Sequence, residues 1–284
     1  MSTMINKCFG MCKTCLNTCG QVLHIVPKSS TSKPTIVLAA GAWQNTDCYQ
    51  SLRKEFAALG YDSVCRSPPS TTLAHGNTDL AADASFMRET MIGPLLAEGK
   101  DVILLMHSFG GVYGGASVRG LSKMERAEKG QKGGVIALVY MAAACVPSGM
   151  TTLERMGVGE DLLPWVSLDN STGLLTIPDP IPQMFHNLPA DEAKKWAHGM
   201  KHQAIKPMQS TVDYAPFEDA FFKGHLAYLM CTGDQTFHLP SQKKFLQGAG
   251  IEVTDELPTS HMPFLEMPKK TAQKVIGLAE RVAM

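Results

Sequence analysis

The stretch Asp101-Val102-Ile103-Leu104-Leu105-Met106-His107-Ser108-Phe109-Gly110-Gly111-Val112-Tyr113-Gly114-Gly115 decides how the rest of the chain is read. Its apolar run, Val102 to Met106, is short, branched and closed abruptly by a polar pair, as a buried strand is. The small residues that follow suit a helix packed tightly behind that strand. Strand, tight turn and helix therefore meet at Ser108. A serine on such a turn is held in a cramped backbone conformation that lifts its hydroxyl above the sheet, and glycines after it let the helix approach. The first N–H groups of the helix lack intrahelical partners and suit a developing negative charge. Met106 stands where the G-x-S-x-G form of this turn has its first glycine. On these five residues alone, Ser108 is as well read as an ordinary helix cap.

Outward from this point the chain alternates short apolar runs with amphipathic stretches. Strands are expected at Thr35 to Ala40, Asp62 to Cys65, Asp101 to His107, Gly134 to Ala143, Ala227 to Thr232 and Ile251 to Thr254. Helical spacing covers Cys48 to Leu59, Asp79 to Leu96, Phe109 to Leu121, Pro240 to Gly248 and Lys269 to Ala283. The alternation predicts an α/β fold, a mostly parallel sheet with helices on both faces. From Pro147 to Lys223 no strand is expected, and a Pro-rich run leads into a helix-compatible segment around Ala190 to Met200. An insertion of that length reads as a helical lid. The expected organisation is an N-terminal arm over 1–33, a core formed by 34–146 and 224–284, and the lid over 147–223.

The composition agrees with a large packed domain. Of 284 residues 44% are hydrophobic and 18% charged, which leaves ample material for a core and argues against wholesale disorder. Twenty-six basic residues balance 26 acidic ones, so nucleic acid and anionic membranes lack their usual electrostatic attractor. No run approaches the roughly 20 apolar residues of a membrane span. The expectation is a cytoplasmic protein without a transmembrane segment or nucleic-acid partner.

A serine hydroxyl needs an imidazole to take its proton, and the imidazole needs a carboxylate to fix its tautomer. The chain supplies both downstream. Asp234 follows the apolar run Ala227 to Cys231, and His261 follows the last strand, so both fall where reactive groups gather at the ends of parallel strands. Each alone could be an ordinary loop residue, and the three occur in the order Ser, Asp, His along the chain.

With Ala39-Ala40-Gly41-Ala42-Trp43, Met106 to Gly111, Thr232-Gly233-Asp234 and Ser260-His261-Met262-Pro263, the sequence resembles the α/β-hydrolase family over about Pro34 to Ala283. It looks closest to a small esterase-like branch that includes hydrolases of fungal secondary metabolism and plant methyl esterases. The resemblance implies a catalytic triad of Ser108, Asp234 and His261 and an oxyanion hole formed by the N–H groups of Ala42 and Phe109. It also implies a cofactor-free reaction without a metal. Hydroxynitrile lyases of this fold carry a threonine and a lysine where Gly41 and Met262 stand here, which favours an esterase. The expected substrate is a small apolar ester or lactone. Trp43, His107, Trp165, Met184, Phe185, His238 and Met262 are the expected pocket residues. A lyase, cyclase or retro-Claisen enzyme on the same triad, and a noncatalytic ligand-binding protein, remain alternatives.

Of the eight cysteines, Cys8, Cys12, Cys15 and Cys19 crowd the N-terminus at i, i+4, i+7 and i+11. One straight helix cannot wrap four ligands around an ion. A lipidated or redox-active arm, a homodimer contact, metal binding by a broken helix and accidental spacing stay open. His198 and His202 share a helical face, but Gly199 stands where a zinc protease needs glutamate.

Overall fold

The computed structural model describes residues 33–158 and 162–284; the cysteine cluster lies outside them. In chain order the strands are β1 (Thr35–Ala39), β2 (Ser63–Cys65), β3 (Asp101–His107), β4 (Gly134–Met141), β5 (Ser167–Asp169), β6 (Leu174–Thr176), β7 (Gln203–Ala204), β8 (Leu226–Cys231) and β9 (Val253–Leu257). The main sheet has the order β2-β1-β3-β4-β8-β9, and every pairing in it is parallel. β1 and β4 are buried along their whole length, which is why they read as unbroken apolar runs.

Two sets of helices cover the sheet. Gln50–Ala58 packs with Pro268–Val282, which also lies on β4, β8 and β9; Gly110–Ser117 packs on β1 and β3 together with Leu80–Met87. The approach of Gly110–Ser117 is close enough that a Cβ on Gly110 would stand 2.4 Å from the carbonyl oxygen of Ala39. Among the described residues no helix is long and apolar enough to cross a membrane.

Three local expectations change. The helix foreseen over Asp79 to Leu96 is Leu80–Met87, a π-helical turn at Arg88–Ile92 and Gly93–Ala97. Pro94 has no N–H to give and its ring crowds the turn before it, so the ladder widens there. The last strand runs later, through Asp255 and Glu256, because β9 is an edge strand. Its Asp255 accepts a hydrogen bond from Lys274 Nζ at 2.6 Å. Finally, the interval from Pro147 to Lys223 contains a small antiparallel sheet, β5-β6-β7. Its strands are two or three residues long, too short for alternation to be read. The turn between β5 and β6 is set by Asp169 Oδ1, which accepts from Ser171 N at 2.9 Å, and by Gly173 at φ 71°. The expected helix is present as Ala190–His198.

Candidate active site

The registers of the main sheet bring the ends of its strands into line: Ala39 pairs with Met106, His107 with Met141, and Cys231 with Leu257. The segments that follow, around Ala42, Ser108, Asp234 and His261, therefore leave the sheet at one edge. Ser108 adopts φ 55°, a left-handed conformation that costs a non-glycine residue about 1–2 kcal/mol. Its backbone is clamped from both sides. Its N–H donates to Met141 O at 3.3 Å, and its carbonyl accepts from Ala144 N and Gly111 N, each at 3.1 Å. Met106 fits in place of the usual glycine because Gly114 faces it. A Cβ on Gly114 would come within 3.0 Å of Met106 Cγ.

Asp234 is buried, and both carboxylate oxygens are committed. Oδ1 accepts from Thr236 N at 2.7 Å and Phe237 N at 2.9 Å, while Oδ2 accepts from His261 Nδ1 at 2.7 Å. A carboxylate can only accept here, so the His261 proton sits on Nδ1 and the Nε2 lone pair is free. Nε2 is buried and has no hydrogen-bond partner among the described residues. The ring lies between Phe237, at 5.4 Å between centroids, and His107, at 4.7 Å. No hydrogen bond joins Ser108 to His261.

The loop after β1 runs against the Ser108 turn. A Cβ on Gly41 would stand 3.0 Å from Ser108 Cβ and 2.9 Å from His107 Nδ1, so only glycine fits. Trp43, at φ 62°, holds this loop against the inserted segment. Its Nε1–H donates to Leu175 O at 3.1 Å, and its carbonyl accepts from Lys201 N at 2.8 Å. Among the described residues the N–H groups of Ala42 and Phe109 have no protein acceptor.

Ala42, Ser108 and Phe109 line an apolar pocket. Trp43 and Trp165 form part of its wall, edge to face at 6.2 Å, and no charged side chain among the described residues lines it. The other expected pocket residues lie elsewhere. His107 and Met262 are fully buried beneath the site, and His107 is turned away by hydrogen bonds to Tyr49 and to the carbonyl of His261. Met184 packs in the core against Gln44, and Phe185 borders a separate small hollow with Trp196. His238 is exposed as the residue preceding helix Leu239–Gly248. The helix that carries His198 ends there, so His202 does not share its face; His202 Nε2 instead bonds the carbonyl of Leu73 at 2.6 Å.

Residues that sequence reasoning missed stand behind the site. Gln242 is buried and threads its amide into the Asp234 loop. It accepts from Cys231 N at 2.9 Å and donates to Cys231 O at 2.8 Å and Phe237 O at 2.7 Å. Glu266 accepts from Ser260 N at 2.8 Å and Asn187 Nδ2 at 3.1 Å, bracing the segment that carries His261. Tyr49 reaches His107 from 58 positions away. No local motif announces any of them.

The model of the alpha/beta hydrolase family matches residues 36–274, and the chain belongs to that family. It is 24% identical over 252 residues to the alpha/beta hydrolase nvfD of Aspergillus novofumigatus, covering 87% of this chain and 97% of that protein. Among solved structures it is similar to a pyrethroid hydrolase from Sphingobium faniae, with TM-score 0.64, 19% identity and coverage of 87% and 97% of the two chains. The methylesterase MES16 from Arabidopsis is likewise similar, with TM-score 0.64, 17% identity and coverage of 87% and 99%.

Proposed function

We propose that this α/β-hydrolase family member is a serine hydrolase that cleaves an ester or lactone of a small apolar molecule through an acyl-enzyme. The observation that carries the reading is the buried His261, with Nδ1 bound to Asp234 and Nε2 left free, at the same sheet edge as a strained Ser108 that opens on an apolar pocket. His261 Nε2 takes the Ser108 proton as Oγ attacks the carbonyl carbon. Asp234 holds the ring and balances the imidazolium that forms. The amides of Ala42 and Phe109 receive the oxyanion; removing one such donor typically costs about 2.7–4 kcal/mol. The tetrahedral intermediate collapses and breaks the C–O bond, and His261 gives its proton to the leaving alkoxide. Water, deprotonated by the same nitrogen, then releases the acyl group and restores Ser108.

An uncharged wall of Trp43, Trp165, Leu162, Met208 and Phe237 suits an apolar substrate body. The similarity to a pyrethroid hydrolase and a plant methylesterase points the same way. The test is a panel of neutral esters and lactones with a fluorophosphonate probe, run on the wild type and Ser108→Ala. Hydrolysis and stoichiometric labelling of the wild type, both lost in Ser108→Ala, are expected. Undiminished turnover by Ser108→Ala would remove the mechanism.

A further inference from the structure

We propose that Tyr49 and His107 are positioning residues whose hydrogen-bond chain ties the loop after β1, the Ser108 turn and the backbone of His261 into one register. The inference rests on the serine-hydrolase reading above. Its basis is a continuous buried chain in which every proton has one place. His107 Nε2 lies 2.9 Å from the carbonyl oxygen of His261, and a carbonyl only accepts, so Nε2 bears the hydrogen. The ring is fully buried. Burial first, and the neighbouring His261 second, push its pKa well below the usual imidazole range, so the ring is neutral. Nδ1 is therefore a bare acceptor.

Tyr49 Oη stands 2.9 Å from that Nδ1 and must donate to it. Burial pushes the phenol pKa well up, which keeps this proton in place. The same oxygen accepts from Gly41 N at 3.0 Å. The chain runs Gly41 N–H to Tyr49 O–H to His107, and from His107 Nε2–H to His261 O. Its three anchor points belong to the three segments that the reaction needs aligned: Gly41 precedes Ala42, His107 precedes Ser108, and His261 carries the free Nε2.

The chain also excludes a competing charge. The His107 and His261 rings are 4.7 Å apart, so a proton on His107 would oppose the imidazolium that forms at His261. Tyr49 occupies the only lone pair that could take such a proton. The ring of Tyr49 is held separately by Phe264, at 4.3 Å between centroids, so the hydroxyl can be removed without removing the packing.

The experiment compares wild type, Tyr49→Phe, His107→Gln and His107→Leu by steady-state ester hydrolysis, fluorophosphonate labelling rate, thermal unfolding and the ring-nitrogen NMR spectrum of 15N-histidine-labelled protein. At neutral pH the wild type should show a neutral His107 protonated at Nε2. Tyr49→Phe should lower kcat and the labelling rate by about 10- to 100-fold, with KM changed less than about threefold. His107→Gln keeps a donor for the His261 carbonyl and should retain more activity than His107→Leu at similar unfolding temperature. Folded Tyr49→Phe and His107→Leu that keep kcat and labelling within twofold of wild type, or a wild-type His107 protonated at Nδ1, would overturn the inference. A wild type that the probe does not label would instead overturn the serine-hydrolase reading, so the two failures are distinguishable.

Discussion

Replacing Asp234 by asparagine separates the geometry of the site from its charge. The new side chain has the same shape but one oxygen and one NH2, and the surroundings decide which goes where. The Oδ1 position receives backbone N–H groups from Thr236 at 2.7 Å and Phe237 at 2.9 Å. An NH2 there would leave two buried donors unpaired, at about 1–3 kcal/mol each. Gln242 Nε2 approaches the other oxygen at 3.5 Å, but it already serves Cys231 O and Phe237 O at 2.8 and 2.7 Å, so its pull is weaker. The amide oxygen therefore takes the Oδ1 place and the NH2 faces His261 Nδ1. That nitrogen must then accept, the imidazole proton moves to Nε2, and Nε2 can no longer take a proton from Ser108. A wrong tautomer of this kind lowers kcat about 10⁴-fold, or about 5.4 kcal/mol at 1.36 kcal/mol per factor of ten. The assay is kcat and kcat/KM for a neutral ester, with fluorophosphonate labelling and thermal unfolding in parallel. A folded Asp234→Asn that keeps more than a tenth of wild-type kcat would refute the assignment of Asp234.

Three further outcomes follow from particular residues. Ser108→Gly should be more stable than Ser108→Ala by about 1 kcal/mol in denaturant unfolding, because glycine takes φ 55° without strain; equal stabilities would show that the turn stores none. Asp83 is buried with its carboxyl pushed up to about 6 from an ordinary 3.8, chiefly by burial and against the hydrogen bond from Ser70. Because the folded value is the higher one, its favourable protonated form is kept below about pH 4 and lost as pH rises through about 6. Wild type should thus lose about 3 kcal/mol relative to Asp83→Asn across that window, and parallel stability curves would contradict it. Thr152 lines the pocket with a buried hydroxyl that has no partner among the described residues. The isosteric Thr152→Val should unfold no earlier than wild type and should turn over a wholly apolar ester at an unchanged rate.

What the sequence disclosed depended on how locally each feature is encoded. β3 and the turn at Ser108 lie within fifteen consecutive residues, and burial on both faces writes β1 and β4 as continuous apolar runs. The pocket residues divide along the same line. Trp43 and Trp165 are apolar and line the cavity, but Met184, Phe185 and Met262 carry an equal apolar signal and pack into the core. Apolarity reports that a side chain leaves water and says nothing of whether it faces protein or cavity. The small sheet β5-β6-β7 was illegible because its strands are too short for a period of two to show.

Histidine exposes this limit most sharply, because its chemistry is decided by atoms that the neighbouring sequence does not contain. His107 and His261 are both buried imidazoles, 4.7 Å apart, and each is fixed by what one nitrogen meets. A carboxylate at Nδ1 of His261 draws the proton to that side and leaves Nε2 with a free lone pair and no partner among the described residues. A carbonyl at Nε2 of His107, with a phenol at Nδ1, consumes both of its nitrogens and leaves nothing to react. Exchanging the two sets of partners would exchange the two chemistries without altering either residue. Residue type and chain order suffice to nominate His261. Only the contacts over 27, 58 and 154 positions assign the protons.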